Sequence, residues 1–249
     1  MISAVVLAHN NEAIIARTLE SLGWCDEVLV IDDYSRNATL NLAKKFKAQV
    51  FRRYLNGDFA SQRNFGLAKA KGEWLFFIDS DEVVSPQLAS EIKETISGRR
   101  GAINGYYLKR KDFFLGRWLD HGETSRVKLL RLARKGTGVW TRPVHEIWQV
   151  KGEVGKLNHP LLHYPHPNVA QFLEEINFYS SLNAAYLKSQ GIKASIWHII
   201  GYPLAKFCLN YFWYSGFLDG MPGAIMALMM SFHSFLTRAK LYLLWRRTK

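Results

Sequence analysis

Ile2–Ala8 is an unbroken apolar run that stops at the polar string His9-Asn10-Asn11-Glu12. The same grammar then recurs. Glu27–Ile31 ends at Asp32-Asp33, Gln49–Arg53 follows, and Trp74–Ile78 (Trp-Leu-Phe-Phe-Ile) ends at Asp79-Ser80-Asp81. Between these runs, Ala13–Leu22 places Ile14, Ile15, Leu19 and Leu22 on one helical face, and Thr39–Phe46 and Ala60–Lys69 read as further helices. Short strands buried on both faces and separated by helices predict βαβ units, a parallel sheet and right-handed crossovers. Ligands of such sheets bind beyond the carboxyl ends of the strands, where the polar clusters fall.

From about Gly105 the period changes. Tyr106–Lys111 and Val127–Leu132 alternate like antiparallel strands, with turn glycines at 116, 122, 136 and 138. After Pro165 and Pro167 the chain becomes helix-prone and rich in Trp, Tyr, Phe and Met. The pattern therefore predicts a first domain over residues 1–165 and a helical, aromatic, basic region over 166–249. Ser195–Leu218 has Lys206 as its only formal charge, and Met221–Leu236 has none. Pro203, Lys206 and Asn210 argue against a span in the first stretch, and the second is short of the ~20 residues a span needs. With Arg238, Lys240, Arg246, Arg247 and Lys249 beside them, these helices fit in-plane contact with a membrane surface. Packing on the first domain or on another subunit is the alternative.

Composition sharpens this picture. The 249 residues are 48% hydrophobic and 22% charged, which excludes disordered and collagen-like classes. Thirty-three Lys and Arg against 21 Asp and Glu give +12, implying an anionic partner. Cys25 and Cys208 stand alone, as free thiols of a reducing compartment do. Ile2–Ala8 has no basic residue before it and reads as a core strand, not a secretory leader. A cytoplasmic protein is expected.

The sharpest chemistry is Asp79-Ser80-Asp81. Residues i and i+2 at a strand end project to the same side, and two carboxylates held close need a cation or a proton between them. Oxygen ligands favour Mg²⁺ or Mn²⁺, which commonly also holds substrate phosphate. Asp32 suits a base or ribose hydroxyl, or simply caps the next turn. Arg63 offers a guanidinium to a diphosphate, or is a surface residue. Glu82 is expected to cap the next helix rather than ligate.

Together these residues resemble the inverting family-2 glycosyltransferases of the GT-A fold. The resemblance lies in Val6–Glu12, Val30–Ser35, Ser61–Gly66 and Phe77–Glu82. Gly105-Tyr106-Tyr107, Phe114-Leu115-Gly116, His121-Gly122, Arg131-Leu132, Val144-His145-Glu146, His163-Tyr164 and Gly216–Gly220 are similar to one subgroup, the lipopolysaccharide-core β-glucosyltransferase-like enzymes. The implied fold is α/β: a Rossmann-like, mainly parallel sheet flanked by helices, with a helical membrane-associated C-terminal extension. By this resemblance Ala8, Asn10 and Glu12 line the nucleotide pocket, Asp32 meets the base, Arg63 lies near the diphosphate, and Asp79 and Asp81 handle the metal and sugar-diphosphate. The family's usual Gly-Ser-Thr-Asp after the second strand reads Tyr34-Ser35-Arg36-Asn37 here.

Inverting transfer needs a base for the acceptor hydroxyl. Glu146 is the candidate, with Asp120 and Glu123 as alternatives; a His–Glu pair that only ties down a loop is the bland reading. His145 is expected to complete the metal shell with Asp79 and Asp81 or to bind phosphate, while His163 reads as a packed or exposed histidine before a second metal or phosphate ligand. Lys109, Arg110, Lys111, Arg117 and Arg126 would cradle acceptor phosphates, or are solvated strand faces. The expected enzyme is a metal-dependent hexosyltransferase, moving glucose from UDP-glucose onto a lipopolysaccharide-core or other lipid-linked glycan at the inner face of the cell membrane. A sugar-phosphate nucleotidyltransferase would carry a Gly-rich loop after the first strand, and none is present. A basic membrane or nucleic-acid-binding protein is the non-enzymatic alternative. The aromatics cluster in apolar segments and not among basic residues, so no nucleic-acid partner is expected.

Overall fold

The computed structural model describes residues 1–98 and 103–246; Arg247 and Lys249, counted above in the basic edge, lie outside the described residues. The chain forms two compact units, Met1–Arg110 with Lys128–His163, and Lys111–Val127 with Tyr164–Lys249.

The first unit begins with β1 (Ile2–Ala8), α1 (Ile15–Glu20), β2 (Glu27–Asp32), α2 (Thr39–Lys45), β3 (Gln49–Arg52), α3 (Phe59–Lys69) and β4 (Trp74–Asp79). β5 (Glu82–Val83), α4 (Pro86–Ser97) and β6 (Ile103–Phe114) follow, then β7 (Arg117–Trp118) in the second unit. β8 (Lys128–Arg134), β9 (Gly138–Thr141), β10 (Ile147–Val150), β11 (Glu153–Lys156) and β12 (Leu161–His163) return to the first. The sheet runs β3-β2-β1-β4-β8-β6-β12-β5. Its first four strands are parallel, as the apolar runs predict, while β4–β8 and β8–β6 are antiparallel.

β4 shows why the runs are continuous. Trp74, Phe76 and Ile78 pack into the cluster on one face, Leu75 and Phe77 into the cluster on the other. α3 covers the second face, and it starts where Asp58 accepts from the Ser61 N–H.

The second unit holds α5 (Val169–Ser189), α6 (Ile196–Cys208) and α7 (Gly220–Arg246). It departs from the expected boundary in one respect: residues 111–127 cluster with it and not with the first domain. The cause is apolar and polar together. Phe114 and Leu119 are buried with Phe172, Ile176, Met226 and Met229, and the buried Asp219 carboxylate accepts from the backbone N–H groups of Asp120 and His121 at 3.1 and 2.8 Å. Asp219 thus fastens a loop nearly a hundred residues away.

Gly66 sits where α3 meets the sheet; a Cβ there would lie 2.5 Å from Val5 Cγ1 and 3.3 Å from Ile31 Cγ1. Gly66→Ala should overpack this seam and cost about 1–3 kcal/mol, read as a lower urea midpoint at unchanged slope.

Candidate active site

The carboxyl ends of the central strands carry the polar residues. Ala8 is the register partner of Asp32, and Leu7 that of Asp79. Asp32 is fully buried, accepts from the Ser35 N–H at 3.1 Å, and has Arg52 Nε 3.4 Å away. Asn10 Oδ1 accepts from the Arg36 N–H and Glu12 Oε2 from the Ala38 N–H, so both side chains brace the loop after β2. In that loop Tyr34 takes φ 49° and stacks on Tyr54 at 3.8 Å, with the Arg52 guanidinium 4.6 Å from the Tyr34 ring. Asn37 Oδ1 accepts from the Thr39 N–H just ahead of α2.

α3 makes three successive polar ties. Gln62 exchanges hydrogen bonds with Arg53, Arg63 turns inward, and the Asn64 side chain pairs both backbone groups of Trp140. Trp140 and Trp148 stack at 5.1 Å and meet Phe77 edge-on, which fixes the β9–β10 hairpin whose connection carries Glu146. Glu146 Oε1 thereby accepts from Arg63 Nε at 2.7 Å.

Asp79 joins the two halves of this network. Its Oδ1 accepts from Arg63 Nη2 at 2.7 Å and its Oδ2 from Arg131 Nη2 at 2.5 Å. Burial acts to raise the Asp79 carboxyl, but the Arg131 and Arg63 charges outweigh it and hold it well below the carboxylate range. Burial likewise works against ionised Glu146, and Arg63 and Arg131 again prevail, so its pKa is lowered. Glu82, buried behind them, is raised chiefly by burial, and its Oε2 accepts from the Asp79 N–H at 2.8 Å. It braces the strand-end turn; the cap of the next helix, expected of Glu82, comes instead from Ser85, whose Oγ accepts from the Leu88 N–H.

Arg63 Nη1 and Arg131 Nε and Nη1 are buried with no hydrogen-bond partner. An unmade buried hydrogen bond costs about 1–3 kcal/mol, and guanidinium donors match phosphate oxygens. The pair can therefore receive an anion.

A divalent cation fits part of the expected donor set. β5 and β12 pair Glu82 with His163, which brings His163 Nε2 to 3.4 Å from Asp81 Oδ2. A carboxylate and an imidazole leave positions for phosphate oxygens and water, as Mg²⁺ and Mn²⁺ sites commonly do. Asp79 does not fit, because both its oxygens are held by guanidiniums. His145, exposed and at φ 53°, is not gathered with Asp79 and Asp81: among the described residues no three His, Cys, Asp or Glu side chains converge on a metal position. Asp120 and Glu123 belong to the second unit, paired with Lys111 and Lys206.

In the sequence Arg131 stands out only as part of the Arg131-Leu132 motif. The signal was present: a guanidinium in the middle of Lys-Leu-Leu-Arg-Leu-Ala-Arg falls among buried positions, and a buried charge demands a partner.

Residues 3–148 match the family model described as Glycosyl transferase family 2. The lipopolysaccharide core biosynthesis glycosyltransferase LpsC of Rhizobium meliloti (strain 1021) is 30% identical, over 97% of this chain and 92% of its own length. An uncharacterized glycosyltransferase of Rickettsia typhi is 27% identical, over 96% of this chain and 86% of its own. Among solved structures, glucosyl-3-phosphoglycerate synthase from Mycobacterium tuberculosis, in complex with Mn²⁺, UDP and phosphoglyceric acid, matches with a TM-score of 0.52 at 20% identity, covering 78% of this chain and 80% of that one. The mixed α/β sheet is accordingly that of the GT-A fold, and the non-enzymatic and nucleotidyltransferase readings give way. The chain belongs to the family 2 glycosyltransferases, enzymes that transfer sugars.

Proposed function

We propose that this enzyme moves a hexose, glucose from UDP-glucose, onto a hydroxyl of a lipopolysaccharide-core or other phosphorylated, lipid-linked glycan, with inversion at the anomeric carbon. The observation that carries this reading is the chain Glu146–Arg63–Asp79–Arg131, in which a carboxylate and two arginines with spare donors share one buried network. The acceptor class is supported by the similarity to a lipopolysaccharide-core transferase, and the donor by a structural neighbour solved with UDP-glucose. A lipid-linked acceptor would bring the enzyme to the inner face of the membrane as a peripheral protein; among the described residues no helix is long and apolar enough to cross one.

In this mechanism Asp32 meets the base, and Ala8, Asn10 and Glu12 line the nucleotide pocket. Arg63 and Arg131 offer their free N–H groups to the diphosphate. Glu146, kept ionised by Arg63, accepts the proton of the acceptor hydroxyl as that oxygen bonds C1. The bond from C1 to the diphosphate breaks, and the electron pair leaves with the diphosphate. Asp81 and His163 would hold a divalent cation, which supplies charge neutralisation to the leaving group.

A panel of UDP-, GDP- and dTDP-sugars, read by nucleoside-diphosphate release, tests the donor; turnover should be greatest with UDP-glucose. In the same assay Glu146→Gln should lower kcat about 10²–10⁴-fold while the donor-induced thermal shift persists, and near-normal turnover would remove Glu146 as the base.

Asp81→Asn should lose at least ~10²-fold in turnover with little change in the urea midpoint, since a metal ligand and not a structural tie is removed. Asp79→Asn should instead lose about 3–5 kcal/mol of stability, because it leaves two buried guanidiniums short of their counter-charge. Equal unfolding midpoints for the two variants would contradict the ion-pair role of Asp79.

The base acts when ionised, and the Glu146 pKa lies below its ordinary value. The acid limb of kcat/KM should therefore lie below the ordinary glutamate range. Arg63→Gln removes the lowering charge and should move that limb upward; Arg63→Lys, which keeps the charge, should move it less. A limb unmoved by Arg63→Gln would uncouple the two groups.

A further inference from the structure

α6 contradicts the ordinary logic of a folded helix. Its sequence, Ile-Trp-His-Ile-Ile-Gly-Tyr-Pro-Leu-Ala-Lys-Phe-Cys, is almost wholly apolar, yet none of its residues is buried. A helix that is hydrophobic nearly all round is normally enclosed by protein or by lipid. The exposure continues through the π-helical turn Leu209–Trp213, the 3-10 turn Gly216–Asp219 and the start of α7. Trp197 and Trp213 are each 78% exposed, Met221 72% and Leu204 62%. An exposed apolar surface of this extent marks an interaction site.

From the charges and shape of this surface, we infer that α6 and the two turns after it lie in the headgroup–acyl boundary of an anionic bilayer, parallel to its plane. Between Gln190 and Arg246 the sequence holds a single carboxylate, Asp219, and that group is buried. No exposed carboxylate of that segment opposes an anionic headgroup. Lys206, the one charge on α6, is paired with Glu123. Beside the apolar face the Arg238 guanidinium lies 4.3 Å over the Tyr202 ring and that of Arg126 4.3 Å over the Tyr214 ring. Aromatic rings with cations at their edge match an interface that is oily on one side and phosphate-rich on the other.

Geometry rules out a crossing. Thirteen residues rise about 20 Å, against a hydrocarbon core of about 30 Å, and Pro203 interrupts the helix. The shape also disfavours a second copy of the chain. At 100° per residue, the exposed positions of α6 cover an arc of about 240°, too wide for one flat, self-complementary face but open to lipid from both sides. This surface goes beyond the transfer chemistry, and rests on the proposed reaction only in taking a bilayer as the site of the acceptor.

The test uses the purified full chain with vesicles of phosphatidylglycerol and phosphatidylethanolamine, or of phosphatidylcholine alone. The expected results are co-sedimentation with the anionic vesicles, quenching of tryptophan fluorescence by brominated acyl chains, and at least tenfold weaker binding by the Trp197→Ser/Trp213→Ser double variant. Arg238→Gln should weaken anionic binding about fivefold, the usual effect of one surface cation. Equal binding by the double variant, or no quenching by brominated chains in the unaltered protein, would overturn the proposal. So would light scattering that shows a dimer in the unaltered protein and a monomer in the double variant. The thermal shift given by UDP-glucose reads the transferase proposal separately: if it is absent while vesicle binding persists, the donor assignment fails and the docking surface stands.

Discussion

Asp79 ends a strand buried along the rest of its length with a charge, and the structure accommodates that charge by giving it two guanidiniums. Arg63 comes from α3 and Arg131 from β8, so one carboxylate fixes elements on both sides of β4. Arg63 then passes the constraint to Glu146 in the β9–β10 connection. In a low-dielectric setting each of these groups would be costly alone, and together they hold one another ionised. The arrangement leaves guanidinium N–H groups over, and that surplus is what the proposed diphosphate role of the two arginines rests on.

This dual role bears on how the Asp-Ser-Asp motif divides its labour. Two carboxylates two residues apart at a strand end invite one explanation for both, a shared metal. The geometry separates them. Asp79 points to the arginines, while Asp81 meets His163, brought there by the pairing of β5 with β12. The spacing made the motif legible, but spacing alone cannot say which oxygen already has a partner. For the same reason Asp79, Asp81 and His145 could be grouped from sequence order although the fold does not gather them.

β1 to β4 and α1 to α3 were legible because burial on both faces leaves long apolar runs that end in polar clusters, and β1 to β4 fall within a residue or so of those runs; α4, β5 and β9 to β12 were not among the expected elements. Arg63 and Glu146 were legible through their motifs. Arg131 was legible as a charge in an apolar strand in need of a partner, but that the partner is Asp79 depends on the antiparallel register of β8 with β4, which no local pattern declares. The assignment of residues 111–127 to the second unit was hidden similarly. It turns on Asp219, whose partners Asp120 and His121 are remote in sequence, and on Asn210, whose Oδ1 accepts from the Glu123 N–H at 2.8 Å. Polar ties over such separations leave no periodicity.

The loop after β2 shows how a departure from a family's pattern can be absorbed. Tyr34 stands where relatives usually place glycine, yet it keeps a positive φ of 49°. A non-glycine residue there carries strain of about 1–3 kcal/mol. Tyr54 stacks on it at 3.8 Å and Arg52 lies over its ring, contacts worth about 0.5–1.5 and 0.5–1 kcal/mol. The same Arg52 reaches Asp32, and Asp32 in turn accepts from the Ser35 N–H. The backbone shape that glycine makes easy is therefore enforced here by side chains, and those side chains are wired to the carboxylate proposed to meet the base. A loop held in this way is stiff, and its shape and the setting of that carboxylate depend on the same few residues.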